Sequence, residues 1–185
     1  MRHETLLGRR STVLVLIDYH EKILHAMHDP ARTLRRAGLL ARGAAALGVP
    51  VVVTEQYPQG LGPTAPELRG ALPESASPLA KTAFSAVQAP GFLAALAATG
   101  ATQALLAGIE THICVLQTAL DLVIHGYQVH LAADACGSRD PANHENALRR
   151  LERAGVVVTN AESALFEMLE KADGPEFKEI SRLVR

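Results

Sequence analysis

Short runs of aliphatic and β-branched residues alternate along the chain with longer stretches in which apolar positions recur every three or four residues. TVLVLI (12–17) is an almost unbroken apolar run, as a strand covered on both faces requires. Strands are likewise predicted at PVVVT (50–54), QALLAG (103–108), YQVHLAA (127–133) and VVVT (156–159), with a brief extended piece at PLAKT (78–82). Asp29-Pro30 reads as an N-cap followed by proline at the first helical position. Leu34, Ala37, Ala41, Ala44 and Leu47 then form one apolar stripe, and Gly48 ends the helix. Asp140-Pro141 repeats the device, opening a helix with Leu148 and Leu151 inward that closes at Gly155. Thr111 is expected to cap a helix running to His125, with Ile113, Leu116, Leu120 and Val123 inward and Gly126 as its stop. Residues 91–98 read as a helix, and two more close the chain.

The stretch 55–78 breaks the rhythm with five prolines and three glycines, and reads as a long loop carrying one short helix. Six strands separated mostly by helices imply right-handed βαβ units. The fold class is therefore α/β, a doubly wound parallel sheet with helices on both faces. Periodicity does not give the strand order.

Composition narrows the picture. The 185 residues suit one domain spanning 1–185. With 48% hydrophobic residues, only 4% aromatic and no Trp, the core must be aliphatic. Eighteen Lys and Arg against nineteen Asp and Glu leave a formal charge of −1, so no basic face for nucleic acid is expected. Two cysteines make no disulfide framework and show no zinc spacing. The apolar run after the basic start is too short for a signal-peptide core, and no apolar span of 18 residues occurs, so a cytoplasmic protein without a membrane partner is expected. Positive hydropathy and aliphatic helices point to a homo-oligomer.

In open α/β sheets, ligands bind beyond the carboxyl ends of the strands. Asp18, Glu55-Gln56, Lys81, the segment Gly108 to Cys114, and Asp134 with Cys136 all fall there. Cys114 lies near the start of its helix, where free N–H groups and the helix dipole favour an anion and, with one nearby ammonium, would lower the thiol pKa by about two units; the alternative is a small buried hydrophobe. Asp18 reads equally as a general base or as a cap of the loop that follows. Spacing alone favours Lys81 as a snorkelling surface lysine. The eight histidines form no HxH or HExxH pattern, Gly60-x-Gly62 lacks a phosphate-loop context, and Cys136 reads as structural.

Taken together, VLVLID (13–18), PVVVTEQ (50–56), KTAFSA (81–86), residues 105–139 around Cys114 and VVVTNAESALFEML (156–169) resemble the isochorismatase-like hydrolases, or cysteine hydrolase superfamily. The likeness covers roughly residues 12–170 and looks closest to the branch of isochorismatase domain-containing proteins. It implies a three-layer sandwich with sheet order 3-2-1-4-5-6. It also implies a triad of Asp18, Lys81 and Cys114, a cis peptide at Ile109–Glu110, and oxyanion donors among the N–H groups near Glu110 and Cys114. The implied activity is hydrolysis of a small amide or related acyl compound through a thioester. The Asp-x-His-x-His pattern of the metal-dependent members is absent, so no metal or other cofactor is expected. Gln56, Tyr57, Phe84, Glu110, His112 and Ile113 are the candidates for lining the substrate pocket. The competing reading is a non-catalytic binding or scaffolding protein that retains the fold.

Overall fold

The computed structural model describes residues 2–185. Six parallel strands, β1 (Thr12–Ile17), β2 (Val51–Gln56), β3 (Leu79–Lys81), β4 (Gln103–Gly108), β5 (Gln128–Ala132) and β6 (Val157–Thr159), form one sheet in the order β3-β2-β1-β4-β5-β6. The helices are α1 (Glu21–Leu24), α2 (Pro30–Leu47), α3 (Pro58–Leu61), α4 (Pro66–Arg69), α5 (Phe92–Ala98), α6 (Leu116–Ile124), α7 (Pro141–Arg153), α8 (Ala161–Leu169) and α9 (Gly174–Leu183). The central strands β1 and β4 are buried at every position, as their unbroken apolar runs require. Strand order reverses between them, where Ile17 pairs with Gly108.

The Asp-Pro starts and the Gly48 stop act as read, whereas Thr111 is no cap: Glu110 holds that place and Thr111 Oγ1 lies 2.9 Å from His144 Nδ1. The Asp29 carboxylate accepts from the Arg32 N–H at 3.1 Å and Pro30 opens α2, which Gly48 ends at φ 66°. Asp140 caps α7 in the same way through the Ala142 N–H at 2.8 Å.

Three expectations are corrected. β2 runs on through Glu55 and Gln56, which lie in the strand rather than after it. The cause is non-local: β3 pairs with Thr54, Glu55 and Gln56 and extends the ladder. The region 55–78 holds two short helices, α3 and α4, each with proline in its first turn. The third correction concerns the element after β4. It opens as a five-residue π-turn, Thr111–Val115, before α6 begins at Leu116. The wider turn shifts the phase of the helix. Cys114, Val115, Thr118, Ala119 and Leu122 therefore face inward with Leu116, while Ile113, Leu120 and Val123 are only half-buried. Gly108 permits this packing, because a Cβ there would stand 2.6 Å from the Ile17 carbonyl oxygen and 3.0 Å from Val115 Cγ2.

His130 on β5 is fully buried between Leu105 of β4 and Val157 of β6, and neither ring nitrogen has a hydrogen-bond partner among the described residues. Burial pushes its pKa down to about 4. An unfolded histidine titrates near ~6.5, so the unfolded chain takes up a proton that the folded one resists. Stability is therefore complete above that value and declines as pH falls toward 4, by at most about 3 kcal/mol. A His130→Leu variant is expected to melt above the wild type and to lose part of the acid-side decline in thermal midpoint. Parallel melting curves for the two proteins from neutral pH down to about 4 would contradict this assignment.

Candidate active site

Asp18 is the first residue beyond β1, and it adopts φ 58°. That left-handed conformation costs a non-glycine residue about 1 kcal/mol or more, so the surroundings must hold it in place. Its N–H donates to the Thr54 carbonyl at 3.1 Å. Its side chain is 1% exposed, with Oδ1 accepting from Thr54 Oγ1 at 2.8 Å and Oδ2 from Lys81 Nζ at 2.6 Å. The carboxylate thus bonds a hydroxyl and an ammonium rather than capping the following loop.

Lys81 ends β3, two strands from β1. At ~4.8 Å per strand, about 10 Å of sheet separates them, a gap closed by a lysine stem meeting an aspartate. The Lys81 side chain is 0% exposed, which overturns the snorkelling reading. Its Nζ donates to Asp18 Oδ2 and Gln56 Oε1, both at 2.6 Å, and to the carbonyls of Phe84 at 3.0 Å and Ala83 at 3.2 Å. Four acceptors facing one nitrogen favour the three-donor ammonium form. Lys81 is a fixed cation here.

Cys114 sits in the π-turn, 7% exposed, near enough to Asp18 and Lys81 for both charges to act on it. The expected lowering of its pKa is reversed. Burial, followed by the Asp18 charge, pushes the thiol up to about 12, and Lys81 only partly offsets them. Burial and the nearby carboxylate charge both favour the protonated thiol over the thiolate. Thr118 Oγ1 donates to the Cys114 carbonyl at 2.7 Å and accepts from the Ala86 N–H at 2.9 Å, while Ser85 Oγ donates to Asp121 Oδ2 at 2.6 Å. These bonds tie the segment after Lys81 to α6, so the amine and the thiol share one scaffold.

The other candidates are placed as follows. The Ile109–Glu110 peptide is cis. The Glu110 carboxylate, 8% exposed, is taken up by the Arg139 N–H at 3.0 Å and Nε at 3.1 Å. His112 Nδ1 lies 3.0 Å from Ser138 Oγ. The Gln56 amide is committed at both ends, with Oε1 toward Lys81 and Nε2 donating to the Thr82 carbonyl at 2.7 Å. Tyr57 and Phe84 hold exposed rings, and their backbones meet Lys81: the Tyr57 N–H donates to the Lys81 carbonyl at 2.8 Å. Ile113 is half-buried.

Cys136 is buried and lines a separate cavity of about 480 Å³ beyond β5 and β6, together with Thr33, Ser138 and His144; none of the three central residues borders it. Among the described residues, no group of three or more His, Cys, Asp and Glu side chains is gathered so as to hold a metal ion. No helix among them is long and apolar enough to cross a membrane.

Two residues escaped the sequence reading. Thr54 alternates with Gln56 on one face of β2, a period-two signal present in the sequence. His20 carries no such signal. It is fully buried, accepts from the Gln56 N–H through Nε2 at 2.8 Å, and thereby directs its Nδ1 proton to the Gly62 carbonyl at 2.7 Å.

The isochorismatase domain family matches residues 12–163. Isochorismatase domain-containing protein 2 of Bos taurus is 43% identical over 176 residues, covering 95% of this chain and 83% of the relative. Among solved structures, the MAR1 ribonuclease of Caenorhabditis elegans superposes with a TM-score of 0.92 at 33% identity, over 97% of this chain and 92% of that one. YcaC from Pseudomonas aeruginosa, solved with hexane-2,5-diol and covalent acrylamide, gives 0.89 at 26% identity over 97% and 92%. By sequence along nearly its whole length, and by the order of its strands, this chain belongs to the isochorismatase family.

Proposed function

We propose that this protein is a cysteine-dependent hydrolase of a small amide or related acyl compound, with Cys114 as nucleophile, Asp18 as the group that exchanges protons and Lys81 as a fixed positive charge. The observation that carries this reading is a buried Asp18–Lys81 ion pair, completed by the Thr54 hydroxyl, whose two charges both act on the nearly buried Cys114 thiol. A neutral thiol becomes a nucleophile when a positioned base takes its proton during attack. Asp18 receives that proton as the sulfur adds to the carbonyl carbon. It then delivers the proton to the departing amine, leaving a thioester, and accepts one from water as hydrolysis releases the acid and restores the thiol.

The N–H groups of Thr111, Ile113 and Val115 already donate to the Gly137 and Glu110 carbonyls. This narrows the oxyanion donors to the backbone N–H groups of Cys114 and its remaining neighbours back to Glu110, beside the Ile109–Glu110 peptide. No step calls for a metal or a cofactor. Substrate contacts are assigned to Tyr57, Phe84, His112 and Ile113, whose side chains stay exposed or half-buried, with Gln56 acting through Lys81. Acrylamide is a thiol-reactive amide, so its covalent presence in a relative accords with a reactive sulfur. A formal charge of −1 favours a small molecule over nucleic acid as the substrate, although another relative is named a ribonuclease. Self-association is part of the same reading, since Ile124 leaves 82% of a large aliphatic side chain in solvent.

A screen of small amides, hydroxamates and esters is expected to yield turnover that falls by about a thousandfold or more in Cys114→Ala. Undiminished turnover in that variant would remove Cys114 as the nucleophile. No turnover, together with a Cys114 that resists alkylation, would favour the non-catalytic binding protein instead.

Thiolate absorbance titrated in a Cys136→Ser background tests the charge arrangement. Asp18→Asn deletes a charge that raises the thiol pKa, so the ionisation midpoint is expected to drop from about 12 while hydrolysis declines by roughly a hundredfold or more. A midpoint that stays in place or rises would mean that the carboxylate does not act on the sulfur.

A further inference from the structure

β2 ends in Thr54-Glu55-Gln56, and the alternation of a strand sends the first and third side chains to one face and the second to the other. Glu55 Oε1 accordingly turns away to accept from the N–H and hydroxyl of Thr64, at 2.7 and 2.8 Å. Gln56 meets Lys81, and Thr54 meets Asp18. Thr54 is fully buried and holds Asp18 twice, taking its N–H on the backbone carbonyl at 3.1 Å and giving its own hydroxyl proton to Oδ1 at 2.8 Å.

Each Asp18 oxygen thus faces one of these donors, Lys81 at Oδ2 and Thr54 at Oδ1. The two donors differ in kind. The ammonium supplies charge, whereas the hydroxyl supplies a directed bond that restrains the carboxylate plane. We propose that Thr54 is a positioning residue that sets the orientation of Asp18, the group that exchanges a proton with Cys114. This rests on the reading of Cys114 as nucleophile and Asp18 as its base. The hydroxyl does not touch substrate; it acts through the carboxylate.

The test is the rate of acrylamide alkylation of the full chain at neutral pH, followed at the Cys114 peptide by mass spectrometry. Wild type, Thr54→Val, Thr54→Ala and Thr54→Ser are compared, with a thermal melt for each. Without the hydroxyl the carboxylate is free to turn, so in Thr54→Val the rate at Cys114 drops by about tenfold. Thr54→Ser restores it. Thr54→Ala serves as the second arm if the valine variant melts below the assay temperature. An unchanged rate in either folded variant overturns the proposal, as does failure of both to fold, which would make the hydroxyl purely structural. Turnover that is undiminished in Cys114→Ala overturns the hydrolase reading itself and so separates the two failures.

Discussion

The site depends on one buried ion pair. Lys81 and Asp18 meet at 2.6 Å with side chains 0% and 1% exposed, and neither charge could remain there alone. Taking two charges out of water costs several kcal/mol each, and removing one partner typically costs a further 3–5 kcal/mol, about. The pair persists because every neighbour serves it. Thr54 completes the carboxylate, while Gln56 and the Ala83 and Phe84 carbonyls complete the ammonium. A network satisfied in this way is rigid and holds the Asp18 carboxylate in one orientation.

The same pair explains why the thiol rests neutral. A cation alone beside Cys114 would draw out a thiolate, but here the cation is already matched by Asp18, and the carboxylate outweighs it at the sulfur. In the proposed mechanism, reactivity comes from proton transfer to Asp18 rather than from a standing thiolate.

Placement of the three groups follows from the sheet. Reversal of strand order between β1 and β4 puts Asp18 beside the segment that leads to Cys114, and the two-strand reach of Lys81 brings in a charge from the edge. Gly108 lets the π-turn lie against Ile17, which turns Cys114 inward. Family membership agrees with this arrangement at the level of fold, and the local chemistry is argued from the side chains.

Much of this was legible in the chain itself. The apolar runs of β1 and β4, the Asp-Pro starts of α2 and α7 and the Gly48 stop are local events, decided by residues within one or two turns of each other. The positions of Asp18, Lys81 and Cys114 at strand ends were equally readable, and resemblance supplied the strand order. Other features were not readable, because they are settled by partners far away in sequence. β2 gains Glu55 and Gln56 only because β3 pairs beside it. Lys81, flanked by small and apolar residues that fit a surface lysine, is drawn inside by Asp18, 63 positions earlier. The protonation of Cys114 was predicted with the wrong sign, since a helix start argues for an anion while burial and a neighbouring carboxylate argue against one. Sequence alone determined which groups lie at the mouth of the sheet; the tertiary structure decided their charges, because desolvation and distance exist only once the chain is folded.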